Sequence, residues 1–118
     1  MARILVAEDE KSLAELIEIN LKDEGHEVVI AEDGRFALQA LMDGGPFDLI
    51  VLDLMMPWSD GFDVLQNLGP AKPKVVVLTA REDAYTKERA EKARVDFFIT
   101  KPYEPQELLK AISDLLSS

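Results

Sequence analysis

Carboxylate, hydroxyl and amine side chains stand at or just after the ends of short apolar runs in this sequence. Glu8 and Asp9 follow the first run, and Asp53, Thr79 and Lys101 end or follow three later ones. Carboxylates held together repel each other unless a cation neutralises them, and ligands that are all oxygen suit Mg²⁺. With a hydroxyl and an ammonium beside it, such a site can cradle a phosphoryl group, and Asp53 can then serve as the nucleophile.

Each of these residues has a plainer explanation when it is taken alone. An acidic run such as residues 8–10 is most often a solvated loop, Thr79 can simply finish a strand, and Lys101 can be an ordinary surface lysine. Phosphoryl chemistry becomes the better interpretation only if several strand ends meet at one edge of a sheet.

Alternating strand and helix patterns predict how these side chains are positioned. Runs rich in Val and Ile predict five strands buried on both faces, at residues 4–7, 28–31, 49–52, 75–79 and 97–100. Four helices are predicted from apolar stripes: Leu13, Leu16, Ile17 and Leu21; Ala37, Ala40 and Leu41; Phe62, Leu65 and Leu68; and Leu108, Ile112, Leu115 and Leu116. A further helix at about residues 83–95 has few apolar residues and is predicted to be weakly docked.

Strict alternation of strand and helix predicts parallel strands joined by right-handed crossovers, with helices on both faces of the sheet. We therefore predict one domain over residues 1–118, with a flavodoxin-like (βα)5, doubly wound α/β fold. The predicted order of its five parallel strands is 2-1-3-4-5. In such a sheet ligands bind beyond the carboxyl ends of the strands, where the reactive side chains stand.

Composition narrows the classes of function. The 118 residues carry a formal net charge of -10, which makes direct binding to nucleic acid unfavourable. There is no cysteine, so disulfides, thiolate metal sites and a cysteine nucleophile are excluded. Charged residues soon interrupt the first apolar run, so we expect no signal peptide or membrane contact and a cytoplasmic location.

Four segments together resemble the receiver domain of the response-regulator family in two-component signalling, and the resemblance covers the whole chain. The segments are VAEDE at 6–10, LDLMMP at 52–57 with Asp60-Gly61, VLTA at 77–80 and FITKPY at 98–103. The resemblance implies that Asp53 is the phosphoacceptor and that Asp9 and Asp53 bind Mg²⁺ directly. It also implies that Glu8 assists through metal-bound water and that the Met55 backbone carbonyl completes the protein ligands.

The resemblance further implies that Thr79, Lys101 and the backbone N–H of Ala80 hold the phosphoryl oxygens. Phe98 matches an aromatic residue that changes rotamer as Thr79 moves, although plain core packing is the alternative. Met55 and Arg81 match positions that tune the access of water, and their bulk predicts slow dephosphorylation.

The implied function is that of a signalling switch rather than a conventional enzyme. Asp53 would take a phosphoryl group from a phosphohistidine on a histidine kinase or histidine phosphotransfer protein, and the domain would then dephosphorylate itself. Phosphorylation would change the conformation of the face formed by the fourth helix, fifth strand and fifth helix. A downstream protein, or an effector domain absent from this sequence, would bind the changed face.

Four positions depart from the family pattern. Trp58 and Arg94 stand where glycine is usual, and a side chain in a positive-φ conformation would cost about 1–2 kcal/mol. We expect Trp58 to pack over its loop, with anchoring of a partner as the alternative. Phe97 and Ala111 replace an Asp and an Arg that form dimer salt bridges in receivers of winged-helix transcription factors, which argues against that dimer.

Three other functions remain as alternatives. A pseudo-receiver would bind proteins without phosphotransfer, but it normally lacks one of the five key residues of the family. All five are present here, as Glu8, Asp9, Asp53, Thr79 and Lys101. An aspartyl-nucleophile phosphatase needs a second Asp where Met55 stands. A flavodoxin needs a Ser/Thr-rich phosphate loop where this chain has the acidic residues 8–10.

Overall fold

The computed structural model describes residues 2–43, 46–56, 59–60, 64–65, 73–79, 88–89, 91–92 and 95–117, with only the backbone at 55–56 and 59–60. The strands in this part of the chain are β1 (Arg3–Ala7), β2 (Glu27–Ala31), β3 (Leu49–Asp53), β4 (Met55–Met56), β5 (Ser59–Asp60), β6 (Lys74–Thr79) and β7 (Phe97–Thr100). The helices are α1 (Lys11–Asp23), α2 (Gly34–Asp43) and α3 (Pro105–Leu116). None of the helices described in this way is long and apolar enough to cross a membrane.

The five longer strands form one parallel sheet in the order β2-β1-β3-β6-β7. Counted among themselves these strands have the order 2-1-3-4-5, so the predicted flavodoxin-like fold is confirmed. Residue pairs across the sheet join Ala7 to Leu52, Asp53 to Leu78 and Thr79 to Thr100. The carboxyl ends of these strands therefore lie along one edge, as the sequence predicts.

Side-chain alternation along the strands produces two core layers, one on each face of the sheet. One layer joins Leu5, Ile50 and Val77 with Ala37 of α2. The other joins Val6, Val51 and Leu78 with α1 and α3. Because each central strand supplies both layers, β1, β3 and β6 are almost continuously apolar.

The prediction that all five strands are buried on both faces is wrong for the two edge strands. Residues 28–30 of β2 are half-buried and Glu27 is exposed, while β7 begins at Phe97 with 41% exposure. Each edge strand pairs with one neighbour instead of two. Apolar runs therefore predicted the strands correctly but not the partial exposure of the two at the edges.

Gly25 follows the end of α1, with a φ of +91°. The Gly25 N–H donates to the Lys22 carbonyl and the His26 N–H to the Leu21 carbonyl, an arrangement that closes a helix through a left-handed residue. Within α1, Ala14, Ile17 and Leu21 are buried. Leu16, predicted to belong to the buried stripe, is 44% exposed because it lies at the edge of that face.

Two of the predicted helices fall largely outside the described residues. Residues 64–65 are helical within the predicted third helix, and residues 88–89 and 91–92 within the predicted fourth. The weak docking of the fourth helix therefore stays a prediction. The sequence did not predict the short antiparallel pair β4–β5, which joins Met55 to Asp60 and Met56 to Ser59 directly after Asp53.

Candidate functional site

Asp53 is the last residue of β3 and lies at the centre of the sheet edge. It is 3% exposed, because β3 is buried along its whole length. The N–H of the next residue, Leu54, donates to the Leu78 carbonyl at 3.1 Å, which ties the chain beyond Asp53 to β6. The carboxylate is thus fixed in place on a strand held from both sides.

Lys101 reaches this carboxylate from the far side of β6. Its backbone N–H donates to the Thr79 carbonyl at 2.7 Å, which sets where the chain leaves β7. Its Nζ donates to Asp53 Oδ2 at 3.0 Å and to Glu8 Oε1 at 2.9 Å. Burial acts to lower the pKa of Lys101, but the hydrogen bonds and charges of Glu8 and Asp53 outweigh it and raise that pKa. The ammonium therefore stays charged and bridges two carboxylates.

Glu8 is the first residue after β1, and it is 1% exposed. Its N–H donates to the Ala31 carbonyl at 3.1 Å, and its Oε2 accepts the Glu10 N–H at 3.1 Å. Burial raises the pKa of Glu8 to about 7, against the hydrogen bonds from Lys101 and Glu10, and the charge of Asp53 adds to the rise. A buried carboxylate with so high a pKa is held close to protonation at neutral pH.

Asp9 completes an acidic cluster with Glu8 and Asp53, and one carboxylate oxygen from each lies within 4.8 Å of the others. Asp9 is exposed, so the cluster faces solvent on one side. A pocket of about 620 Å³ opens beside Glu8 and Asp9, and its wall also carries Glu15 and Glu18. Oxygen donors, excess negative charge and an open approach fit a hard divalent cation such as Mg²⁺.

The other predicted site residues are described to different extents. Thr79 is fully buried at the end of β6, and Phe98 of β7 is half-buried against the core layer that contains Leu52 and Val77. The backbone of Met55 follows the site and pairs with Asp60. Ala80, Arg81, Trp58 and Arg94 lie outside the described residues, so their predicted roles stay predictions.

Uncharged residues stand at the two positions where receivers of winged-helix transcription factors form their dimer salt bridges. Phe97 is exposed at the start of β7, and Ala111 is buried in α3. The expectation that this dimer does not form therefore stays a prediction.

Tyr103, which the sequence offered only as part of a motif, belongs to the surroundings of the site. It lies two residues after Lys101, and its hydroxyl is buried. Burial raises the pKa of Tyr103 to about 12, the negative charge of Glu8 adds to the rise, and Lys101 opposes it. An aromatic residue after Lys-Pro looks like plain packing, so nothing in the sequence marks its hydroxyl.

The fold and the site together define a class: a doubly wound sheet that gathers carboxylates, a threonine and a lysine at the carboxyl ends of its strands. The family model of the response regulator receiver domain matches residues 4–113, and the chain belongs to this family.

Comparisons with individual proteins support the same family assignment. The chain is 40% identical over 112 residues to the transcriptional regulatory protein DltR of Streptococcus agalactiae, a match that covers 93% of this chain and 50% of that protein. The non-phosphorylated HemR receiver domain from Leptospira biflexa has a TM-score of 0.92 at 29% identity, covering 100% of this chain and 96% of that one. The response regulator TrrA from Thermotoga maritima, in complex with Mg²⁺ and BeF, has a TM-score of 0.83 at 32% identity, covering 98% and 99%. The chain spans about half the length of the curated relatives it matches.

Proposed function

We propose that this domain is a phosphorylation switch in which Asp53 accepts a phosphoryl group from a phosphohistidine on a partner protein. The observation that carries the proposal is the position of Asp53, buried at a strand end with Lys101 Nζ 3.0 Å from its Oδ2 and two further carboxylates beside it. A carboxylate placed there only for stability would not need two more acids next to it, because like charges oppose folding.

Mg²⁺ is the proposed cofactor, and Asp9 and Asp53 are its proposed direct ligands. Glu8 would assist through bound water, and the Met55 carbonyl would add a backbone ligand. When bound, Mg²⁺ would offset the negative charge of these carboxylates and of the transferring phosphoryl oxygens. The acidic cluster supports this assignment, and so does TrrA, whose solved complex holds Mg²⁺.

The proposed transfer forms one bond and breaks one. A carboxylate oxygen of Asp53 attacks the phosphorus, the P–N bond to the histidine ring breaks, and its electron pair stays on the ring nitrogen. Lys101 would hold a phosphoryl oxygen through its ammonium, and Thr79 and the Ala80 N–H would hold the others. The raised pKa of Lys101 supports this role, because the side chain remains a cation while charge develops.

Dephosphorylation reverses the covalent state without the partner. Water attacks the phosphorus, the bond from phosphorus to the Asp53 oxygen breaks, and the free carboxylate and inorganic phosphate result. Met55 and Arg81 are the proposed residues that limit the approach of this water. Their bulk leads us to expect an acyl phosphate that lasts well beyond seconds, and its measured lifetime tests that expectation.

The proposed signal passes from Asp53 to the end of the sheet formed by β6 and β7. A phosphoryl group adds roughly 1.5 to 2 negative charges. These charges would draw Thr79 and Lys101 inward and bias Phe98 between two rotamers. Thr79 at the end of β6 pairs with Thr100 at the end of β7, and Lys101 directly follows Thr100. Thr79 and Lys101 would therefore move together.

The partners we propose follow from this chemistry and from the relatives. A histidine kinase or a histidine phosphotransfer protein would supply the phosphoryl group in the cytoplasm. A downstream protein or an effector domain would respond, since DltR is a transcriptional regulatory protein about twice as long as the matched region. With a net charge of -10, the domain itself is not expected to bind nucleic acid, and we propose no membrane partner.

Incubation with acetyl phosphate or phosphoramidate, with and without Mg²⁺, tests the proposal. We expect the intact mass to rise by one phosphoryl group in the presence of Mg²⁺, and Asp53→Asn to show no such rise. A wild-type protein that stays unmodified under all these conditions would favour a pseudo-receiver instead.

A further inference from the structure

Tyr103 carries a buried hydroxyl that has no hydrogen-bond partner among the described residues. Its side chain packs against the core layer that contains Ile17 and Leu108, between α1 and α3. A buried donor without an acceptor costs free energy, whereas a Phe ring of the same shape would avoid that cost. Packing in the resting protein therefore explains the ring of Tyr103 but not its hydroxyl.

The hydroxyl is close to the site along the chain, because Tyr103 stands two residues after Lys101, whose Nζ donates to Glu8 Oε1 at 2.9 Å. The phenol stays protonated up to a pKa of about 12, raised first by burial and next by the charge of Glu8, the charged group that acts on it most strongly. The hydroxyl thus remains a hydrogen-bond donor, and the carboxylate whose charge acts on it most strongly is that of Glu8. In the resting structure that carboxylate is already engaged, because Glu8 Oε1 accepts from Lys101 Nζ and Glu8 Oε2 accepts from the Glu10 N–H.

We propose that Tyr103 is a positioning residue for Lys101: when the ammonium turns from Glu8 to a phosphoryl group on Asp53, the Tyr103 hydroxyl donates to Glu8 in its place. This inference rests on the proposed function. Once Lys101 has turned away, Glu8 Oε1 has lost its side-chain donor and can accept this bond.

This exchange of partners would change the relative free energies of the resting and the phosphorylated arrangement. An unpaired hydroxyl raises the free energy of the resting arrangement, and a hydroxyl that gains an acceptor after phosphorylation lowers that of the other state. The populations of the two arrangements depend on the difference between their free energies. Tyr103 would therefore favour the phosphorylated arrangement without touching the phosphoryl group.

Tyr103→Phe tests this directly, with beryllofluoride plus Mg²⁺ as the phosphoryl analogue and binding measured by calorimetry. We expect the variant to resist urea as well as or better than the wild type without ligand, and to bind beryllofluoride about tenfold more weakly. Tyr103→Leu, which also removes the ring, should lose stability in both states. An affinity of Tyr103→Phe within twofold of the wild type would overturn the inference.

A spectroscopic measurement separates this role from general packing. The chain has two tyrosines, so ¹³Cζ labelling gives two signals, and Tyr85→Phe identifies the one from Tyr103. On addition of beryllofluoride and Mg²⁺ the Tyr103 signal should move to the position of a hydrogen-bonded phenol. A Tyr103 signal that does not move in a protein that binds the analogue contradicts the inference alone. A wild-type protein that does not bind it defeats the proposed function as well.

Discussion

The central strands and the edge strand β7 contribute differently to the same site. Glu8, Asp53 and Thr79 end or follow β1, β3 and β6, and each is at most 3% exposed. Lys101 follows β7, which has one neighbour in the sheet and begins with the exposed Phe97. Acids and hydroxyl are thus held by strands paired on both sides, while the amine stands on a flexible stem at the border.

This difference assigns separate physical tasks to the two regions. A phosphoacceptor must be placed accurately, and burial on a central strand does so at the cost of desolvating its charge. A responding group must have two positions, and a lysine that already bridges two carboxylates can exchange one partner for another.

The largest effect should come from a cavity in a central strand. Ile50→Ala removes a fully buried side chain of β3 and should lower the free energy of unfolding by about 2–5 kcal/mol. Ile30→Ala makes the same change in the half-buried edge strand β2 and should cost about 1–2 kcal/mol. Urea denaturation measures both. Equal losses would mean that the central and edge strands do not differ in this way.

The next effect concerns the desolvated acid Glu8 and its dependence on pH. Its pKa is raised from 4.5 to about 7 in the folded protein, so the folded state binds the proton more tightly than the unfolded chain. This contribution to stability is fully present below pH 4.5 and is lost as pH rises through 7. In EDTA the wild type should therefore lose up to about 3 kcal/mol relative to Glu8→Gln over this range.

Thermal or urea unfolding of both proteins at several pH values checks this expectation. Titrating groups that do not interact with Glu8 are common to the two proteins and cancel in the difference. Parallel stability curves from pH 4 to pH 8 would show that Glu8 has an ordinary environment.

The smallest effect should come from the amine at the border. Lys101→Met leaves Glu8 and Asp53 without their shared cation and should destabilise the protein in EDTA by about 1–2 kcal/mol at pH 8, since the lysine is partly exposed. Lys110→Met removes an exposed lysine that pairs with Asp114 at 3.0 Å, and it serves as the matched control. The control should change stability by less than about 0.5 kcal/mol. Similar losses in both variants would make Lys101 an ordinary surface lysine.

Much of the fold could be predicted because pattern and topology agree. Continuous apolar runs rich in Val and Ile predicted all five long strands, and Gly25 follows the end of α1 at a positive φ. The meeting of Glu8, Asp53 and Lys101 followed from one rule, that carboxyl ends of parallel strands share an edge. Residues 93 positions apart in the chain, Lys101 and Glu8, are thereby in contact.

Other features depend on neighbours that the sequence does not identify. The exposure of Leu16 and Phe97 depends on which strand or helix lies beside them, and a stripe pattern carries no such information. The pair of Lys101 with Glu8, in addition to Asp53, depends on the rotamer of a long side chain. The Tyr103 hydroxyl, without a partner among the described residues, could not be predicted either, because a Tyr and a Phe give the same apolar pattern.

The most direct test of the central claim is to locate the phosphoryl group. After treatment with acetyl phosphate and Mg²⁺, borohydride reduction converts an aspartyl phosphate to homoserine, and peptide sequencing by mass spectrometry finds the altered residue. The account predicts homoserine at position 53. Homoserine at another position, or none in a protein whose mass rises by one phosphoryl group, would contradict it.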